Sequence, residues 1–211
     1  MKSDVITVNN RGDGIEEALA ASSSSALYRG LGHREALHLR LLAEETLGMM
    51  RQITKEETAQ FWVDSDGKSF ELHLVAHPSV TGAMRAELLK VATSGKNEAA
   101  RGVMGKIRDI FNRALSPETD EVVGDYYTQG LILPPEYMAA DPTSYSMTAG
   151  IMTWSMQKYR ESVKSEKPDS EKAKEKWDEL EKSIVANLAD EVRIGISKDK
   201  VEMTVYKKFA E

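Results

Sequence analysis

Apolar residues recur at helical spacing through residues 33–53, HREALHLRLLAEETLGMMRQI. Leu39, Leu42, Met49 and Ile53 share one face, Ala43, Thr46 and Met50 widen it, and Arg40, Glu44 and Arg51 lie opposite. Glu45 stands at the edge of the apolar face, one turn before Met49. A carboxylate there is either a solvated border residue or one that faces both a core and a cleft.

The rest of the chain alternates between the two periodicities. Residues 5–8 form a short strand pattern, and 9–14 are turn-rich. Residues 15–31 read as a helix with Ile15, Leu19 and Leu27 on its apolar side, stopped by Gly30 and Gly32. Residues 58–63 and 69–76 are strand-like around Asp64-Ser65-Asp66-Gly67, where the Asp-Gly pair signals a hairpin turn. In the second strand Leu72, Leu74 and Ala76 alternate with Glu71, His73 and Val75. Helices are expected over 81–93 and 102–115, separated by a polar loop.

From residue 116 the character changes. Four of the six prolines fall within 116–142, together with Tyr126, Tyr127 and Tyr137, an irregular aromatic-bearing stretch. A helix is expected over about 144–163 with Met152, Met156, Tyr159 and Val163 in register. A second runs from about 170 to 188 with Ala173, Trp177, Leu180, Ile184 and Leu188 inward. Residues 191–196 and 201–206 alternate as a closing hairpin. The fold class implied is α+β, a two-layer α/β sandwich with a mixed sheet and helices on one face. Residues 1–211 read as one domain, with 116–182 inserted before the last hairpin.

Composition narrows the chemistry. The net charge is −6 at pH 7 and the chain is 29% charged, so it lacks the basic field of a general nucleic-acid binder. Without cysteine, thiol catalysis, disulfides and thiolate metal sites are excluded. His33, His38, His73 and His77 make no recognised metal spacing, and no metal site is expected. No long uncharged apolar run is present, so a membrane span is not expected and the cytoplasm is the default location. Neither a Gly-x-Ser-x-Gly elbow nor a Walker A spacing occurs. His73 and His77 flank a strand end, where a ligand contact and an ordinary surface histidine are both open. Trp154 and Trp177 fit a core between the late helices or a partner surface.

The element order, with LLAEETLGMM on the second helix, resembles the histidine-kinase-like ATPase (GHKL) superfamily, most closely its anti-sigma-factor serine kinase branch. In that family one helix carries a doublet of acids and an Asn four residues after the second acid. The second acid activates a hydroxyl or water, and the Asn holds magnesium. Here the doublet is Glu44-Glu45, Glu45 matches the catalytic acid, and Met49 stands at the Asn position. The family's Asp-x-Gly turn, whose Asp reads adenine, corresponds to Ala76-His77-Pro78-Ser79, with neither Asp nor Gly. Its glycine-rich lid resembles Ser94-Gly95-Lys96 and Gly102-Val103-Met104-Gly105-Lys106, with Arg101 between them. Backbone amides at a helix start favour an anion there. The closing strands of the branch resemble Leu188 to Val192 and the hairpin ending in Lys207-Lys208-Phe209.

The resemblance implies a histidine-kinase-like ATPase fold, ATP as the ligand, cofactor contacts at Gly95, Lys96, Gly102, Gly105 and Lys106, and a regulatory protein as partner. The departures at Met49 and 76–79 set the expectation that nucleotide binding is weakened or lost, that magnesium is not held and that catalysis is absent. The alternative is an active serine-kinase-like enzyme with Glu45 as base.

Overall fold

In the computed structural model the described residues are 1–53, 58–77, 131–132, 152–165, 171–196 and 200–210. Their strands are β1 (Ile6–Val8), β2 (Ala59–Asp66), β3 (Ser69–Ala76), β4 (Leu131–Ile132), β5 (Met152–Ser155), β6 (Glu191–Ile196) and β7 (Val201–Lys208). Their helices are α1 (Ile15–Tyr28), α2 (His33–Ile53), α3 (Met156–Ser165), α4 (Glu171–Lys182) and α5 (Ile184–Leu188). The strands form one sheet in the order β1-β2-β3-β7-β6-β5-β4. Every pairing among these strands is antiparallel, where a mixed sheet was expected. The closing hairpin does lie beside β2 and β3, as the pattern predicts.

Register explains the single core. Ile6, Phe61, Leu74, Met203, Ile194 and Trp154 oppose one another in turn across β1, β2, β3, β7, β6 and β5. Directly opposed residues share a face, so this row points one way and is covered by the helices. One continuous hydrophobic cluster joins the sheet to Leu39, Leu42 and Leu47 of α2 and Met156, Tyr159 and Val163 of α3. The opposite face carries Trp62, Asp64, Glu71, His73, Arg193, Thr204 and Tyr206.

The first two helices pack through small residues. Ala18, Ser22 and Ala26 of α1 are wholly buried, as is Ala43 of α2. The buried hydroxyls of Ser22 and Thr46 donate to the carbonyls of Ala18 and Leu42, so neither is left unsatisfied. α1 ends in a Schellman motif: Gly30 N–H donates to Leu27 O, Leu31 N–H to Ala26 O, and Gly30 takes the left-handed conformation at φ 76°. The partly buried Leu31 then packs on the core. Leu27, expected inward, is 45% exposed instead, because the small residues of α1 rather than its leucine face α2.

The β2–β3 turn lies one step later than the Asp-Gly pair suggests. β2 runs through Asp66, which pairs with Ser69, leaving Gly67-Lys68 as a two-residue loop. Gly67 has φ 56° at the first central position, as in a type II′ turn. At the sheet edge, Ile6 opposes Phe61 while Lys2 opposes Asp64. The five residues 2–6 thus face the four residues 61–64, a bulge that also turns Lys2 onto the face opposite the core.

The late segment departs most from expectation. Residues 152–155, predicted helical, form β5 and pair with β6. The helix begins only at Met156, because Ser155 Oγ accepts the Lys158 N–H as a cap. Met152 therefore belongs to the sheet. Ser183 likewise caps α5 by accepting from Ala186 N–H, breaking the predicted 170–188 helix in two. That break rotates the second half: Val185 and Ala186 are buried while Ile184 is 45% exposed. Trp177, expected inward, is 40% exposed; Leu180, three residues on, is buried. The helices expected over 81–93 and 102–115, and most of the 116–151 stretch, lie outside the described residues.

Candidate functional site

Glu45 is half-buried on α2, between the buried pair Leu42 and Ala43 and the buried pair Thr46 and Leu47, while Glu44 is exposed. The doublet thus splits as the periodicity predicts, one acid to solvent and one at the border of the core. The first turns of α2 are placed over the β2–β3 turn end of the sheet: His38 stacks on Phe209 with ring centroids 6.3 Å apart, and Phe209 meets Phe70 edge-on at 5.8 Å. β3 ends at Ala76, held between Ala59 and Val201. Gly95, Lys96, Arg101, Gly102, Gly105, Lys106, Pro78 and Ser79 lie outside the described residues, so Glu45 is the one predicted site residue whose setting is seen.

The face of the sheet opposite the core brings together a cluster that sequence reasoning weighed only through His73. Trp62 and His73 oppose each other across β2 and β3, and Thr204 of β7 opposes His73 on its other side. The indole and imidazole lie parallel, 7° apart in plane and 4.8 Å between centroids. Trp62 Nε1 donates to Asp64 Oδ2 at 3.0 Å, and Lys2 Nζ sits 4.4 Å from the centroid of the indole. His73 Nδ1 is 3.4 Å from Thr204 Oγ1. His73 Nε2 is 3.3 Å from Glu71 Oε2 and 3.5 Å from Asp64 Oδ2, within ion-pair reach. Yet that nitrogen is fully buried and aligned with neither carboxylate as a hydrogen bond.

Farther along this face, the Arg193 guanidinium lies 5.2 Å from the Tyr206 ring centroid. Burial raises the Tyr206 hydroxyl above the usual tyrosine range, against the opposing pull of Arg193. Placing the hairpin turn at Gly67-Lys68 would have found this cluster from sequence, since that register sets Trp62 opposite His73. The reading that put 64–67 in the turn could not.

Chemically, Glu45 offers a carboxylate at a core border, and the opposite face of the sheet offers an imidazole near two acids and stacked on an indole. Among the described residues no three His, Asp or Glu side chains converge as a metal site, and no helix is long and apolar enough to cross a membrane. No protein-family model matches the chain, nor does any curated protein or solved structure.

Proposed function

We propose that the chain is a regulatory domain of the anti-sigma-factor type, a sandwich resembling an ATPase in which nucleotide binding is weakened or lost and phosphoryl transfer is not performed. Its partner in this reading is a regulatory protein. The observation that carries the proposal is the setting of Glu45. It stands half-buried at the edge of α2, where the family's acid is expected, and one turn later the chain has Met49 in place of Asn.

Magnesium does not fit this donor set. It requires oxygen ligands in near-octahedral array, and a thioether supplies none. Phosphoryl transfer relies on that ion to neutralise developing charge, so its loss weighs on catalysis more than on binding. The missing adenine-reading Asp removes one hydrogen bond to a charged group, roughly 1.5–3 kcal/mol, or ten- to a hundredfold in affinity.

The experiment is the melting temperature with ATP or ADP, with and without magnesium, alongside an ATPase assay. A ligand at a hundred times its Kd would stabilise the fold by about 2.7 kcal/mol, an easily read shift. The expected result is little or no shift and no turnover. Residual anion binding should belong to the lid at Gly95, Lys96, Gly102, Gly105 and Lys106, and should be unchanged in Glu45→Ala. Magnesium-dependent hydrolysis that disappears in Glu45→Ala would instead restore the serine-kinase-like enzyme with Glu45 as base.

A further inference from the structure

The chain contains two Asp-Gly pairs, Asp13-Gly14 and Asp66-Gly67. An aspartate before glycine carries an intrinsic reaction, because the glycine nitrogen, unshielded by a Cβ, can attack the side-chain carbonyl carbon. The fold treats the two pairs differently. Asp13 is pinned by Asn9. Its Oδ2 accepts from Asn9 Nδ2 at 2.7 Å, its N–H donates to Asn9 Oδ1 at 3.1 Å, and its carbonyl accepts the Asn9 N–H at 3.2 Å. Gly14 lies so close to β1 that a Cβ on it would be 2.1 Å from the Thr7 carbonyl oxygen. Bringing the Gly14 nitrogen onto the Asp13 carboxyl would break the bonds to the carboxylate and the carbonyl, and would swing a peptide already in contact with β1.

Asp66 and Gly67 are exposed at the tip of the β2–β3 hairpin. Among the described residues, neither the Asp66 carboxylate nor the Gly67 N–H has a hydrogen-bond partner. A Cβ on Gly67 would meet nothing within 4 Å. Rotation about the Asp66 Cα–C bond opens the last rung, Asp66 opposite Ser69, and leaves the other seven β2–β3 pairs in register. The turn is anchored one residue later, where the Lys68 carbonyl accepts the Phe209 N–H at 3.0 Å and Lys68 Nζ donates to the Ala210 carbonyl at 3.0 Å. The freedom needed for attack is therefore present at Asp66 and withheld at Asp13.

We propose that Asp66-Gly67 is a site of spontaneous covalent modification, at which Asp66 converts to isoaspartate while Asp13 is protected by its loop. The Asp66 carboxylate takes up one proton from solvent, the Gly67 nitrogen bonds to Asp66 Cγ, and one carboxyl oxygen leaves as water with the amide hydrogen. Water then opens the five-membered imide at the bond between Asp66 C and Gly67 N, and the proton returns to solvent. The main chain now runs through Cγ, with no net change in composition or oxidation state. The free carboxylate is the former backbone one, the group that an isoaspartyl methyltransferase recognises. The extra main-chain atom enters between the last rung and Lys68, the residue through which the turn holds residues 209 and 210. The site is independent of the nucleotide reading.

The test is to age the full chain in neutral buffer below its melting temperature and digest it with trypsin. Asp66 then lies in peptide 56–68 and Asp13 in peptide 12–29. Isoaspartate is read by isoaspartyl methyltransferase with labelled S-adenosylmethionine, and is placed within each peptide by electron-transfer fragmentation. In the folded chain, 56–68 should accumulate it faster than 12–29 by roughly tenfold or more, since each hydrogen bond that must open lowers the reactive population severalfold. In guanidinium chloride, where both pairs are free, the two peptides should accumulate it at comparable rates. Asp66→Glu should abolish the signal in 56–68, because the corresponding ring is larger and closes far more slowly. Equal or faster accumulation in 12–29 of the folded chain, none in 56–68 while the unfolded chain forms it, or a signal in 56–68 that survives Asp66→Glu would overturn the proposal.

Discussion

Ser155 and Glu191 meet across β5 and β6, the Ser155 hydroxyl donating to Glu191 Oε2 at 2.8 Å. The other oxygen, Oε1, accepts the Gln157 N–H at 3.1 Å and the Val192 N–H at 2.8 Å. One carboxylate thus serves the first turn of α3 and the start of β6 together. Ser155 completes the arrangement by capping Lys158 N–H at 3.2 Å. A negative charge at a helix start also complements the helix dipole.

Glu191→Ala should therefore destabilise the fold by about 1–3 kcal/mol, since it strips the acceptor from the exposed Gln157 N–H at the helix start and from the partly buried Val192 N–H. Glu191→Gln should lose less, because an amide oxygen still accepts. Urea denaturation of the two variants checks the order. Equal losses in the two variants would mean that an accepting amide oxygen recovers nothing of what the carboxylate contributes.

The two late tryptophans should separate cleanly. Trp154 is 1% exposed and lies in the inner row of the sheet, opposite Ile194, with its ring 6.2 Å from that of Tyr159. Trp154→Ala should cost about 3–5 kcal/mol, as core aromatics do. Trp177, 40% exposed on α4, should cost within about 0.5–1 kcal/mol. Denaturation curves for both variants decide it, and a large loss at Trp177 would place that ring in the core after all.

These two residues also show what the sequence could and could not tell. Long segments with one dominant period were legible: α2 spans the predicted 33–53, and the alternation of β3, β6 and β7 appears where expected. Side-chain facing was legible at Leu39, Leu42, Ala43 and Thr46, which are buried, and at Glu45, on the border of the apolar face. Met152 to Ser155 were misread because Met152, Met156, Tyr159 and Val163 keep helical spacing straight through a strand-to-helix junction. Periodicity does not register a cap, and it was the Ser155 cap and pairing with β6 that decided the boundary. The Ser183 break in the following helix escaped for the same reason. The cluster around His73 was hidden more deeply. It depends on a hairpin register, and a turn misplaced by even one residue puts the wrong side chains opposite each other.

Tyr206 gives the fold an alkaline limit. Burial raises its folded-state value above the ordinary one near 10.0. The unfolded chain therefore ionises first as pH rises, while the folded chain still holds the proton. The associated stability is fully present below the unfolded value and is lost as pH climbs through the folded one. The melting temperature should fall above about pH 10, and fall less steeply in Tyr206→Phe, which has no proton to lose. Identical alkaline profiles for the two proteins would assign the loss to other groups.

Gly14 supports the most demanding backbone position described. It caps α1 with φ 71°, and a Cβ placed there would lie 2.1 Å from the carbonyl oxygen of Thr7. That contact is with backbone in β1, so no side chain can swing aside to relieve it. Gly12 has φ 102° and Gly30 has φ 76°, but a Cβ at either meets nothing within 4 Å. Gly12→Ala and Gly30→Ala should thus cost only the left-handed conformation, about 1–2 kcal/mol. Gly14→Ala should exceed both by a further 1–3 kcal/mol, roughly the cost of forced overpacking, because α1 must shift away from β1. The three variants compared by chemical denaturation isolate the steric part, since all share a positive φ. If Gly14→Ala proves no worse than the other two, the junction between β1 and α1 yields more easily than its close approach indicates, and the edge of the sheet is not what sets the position of α1.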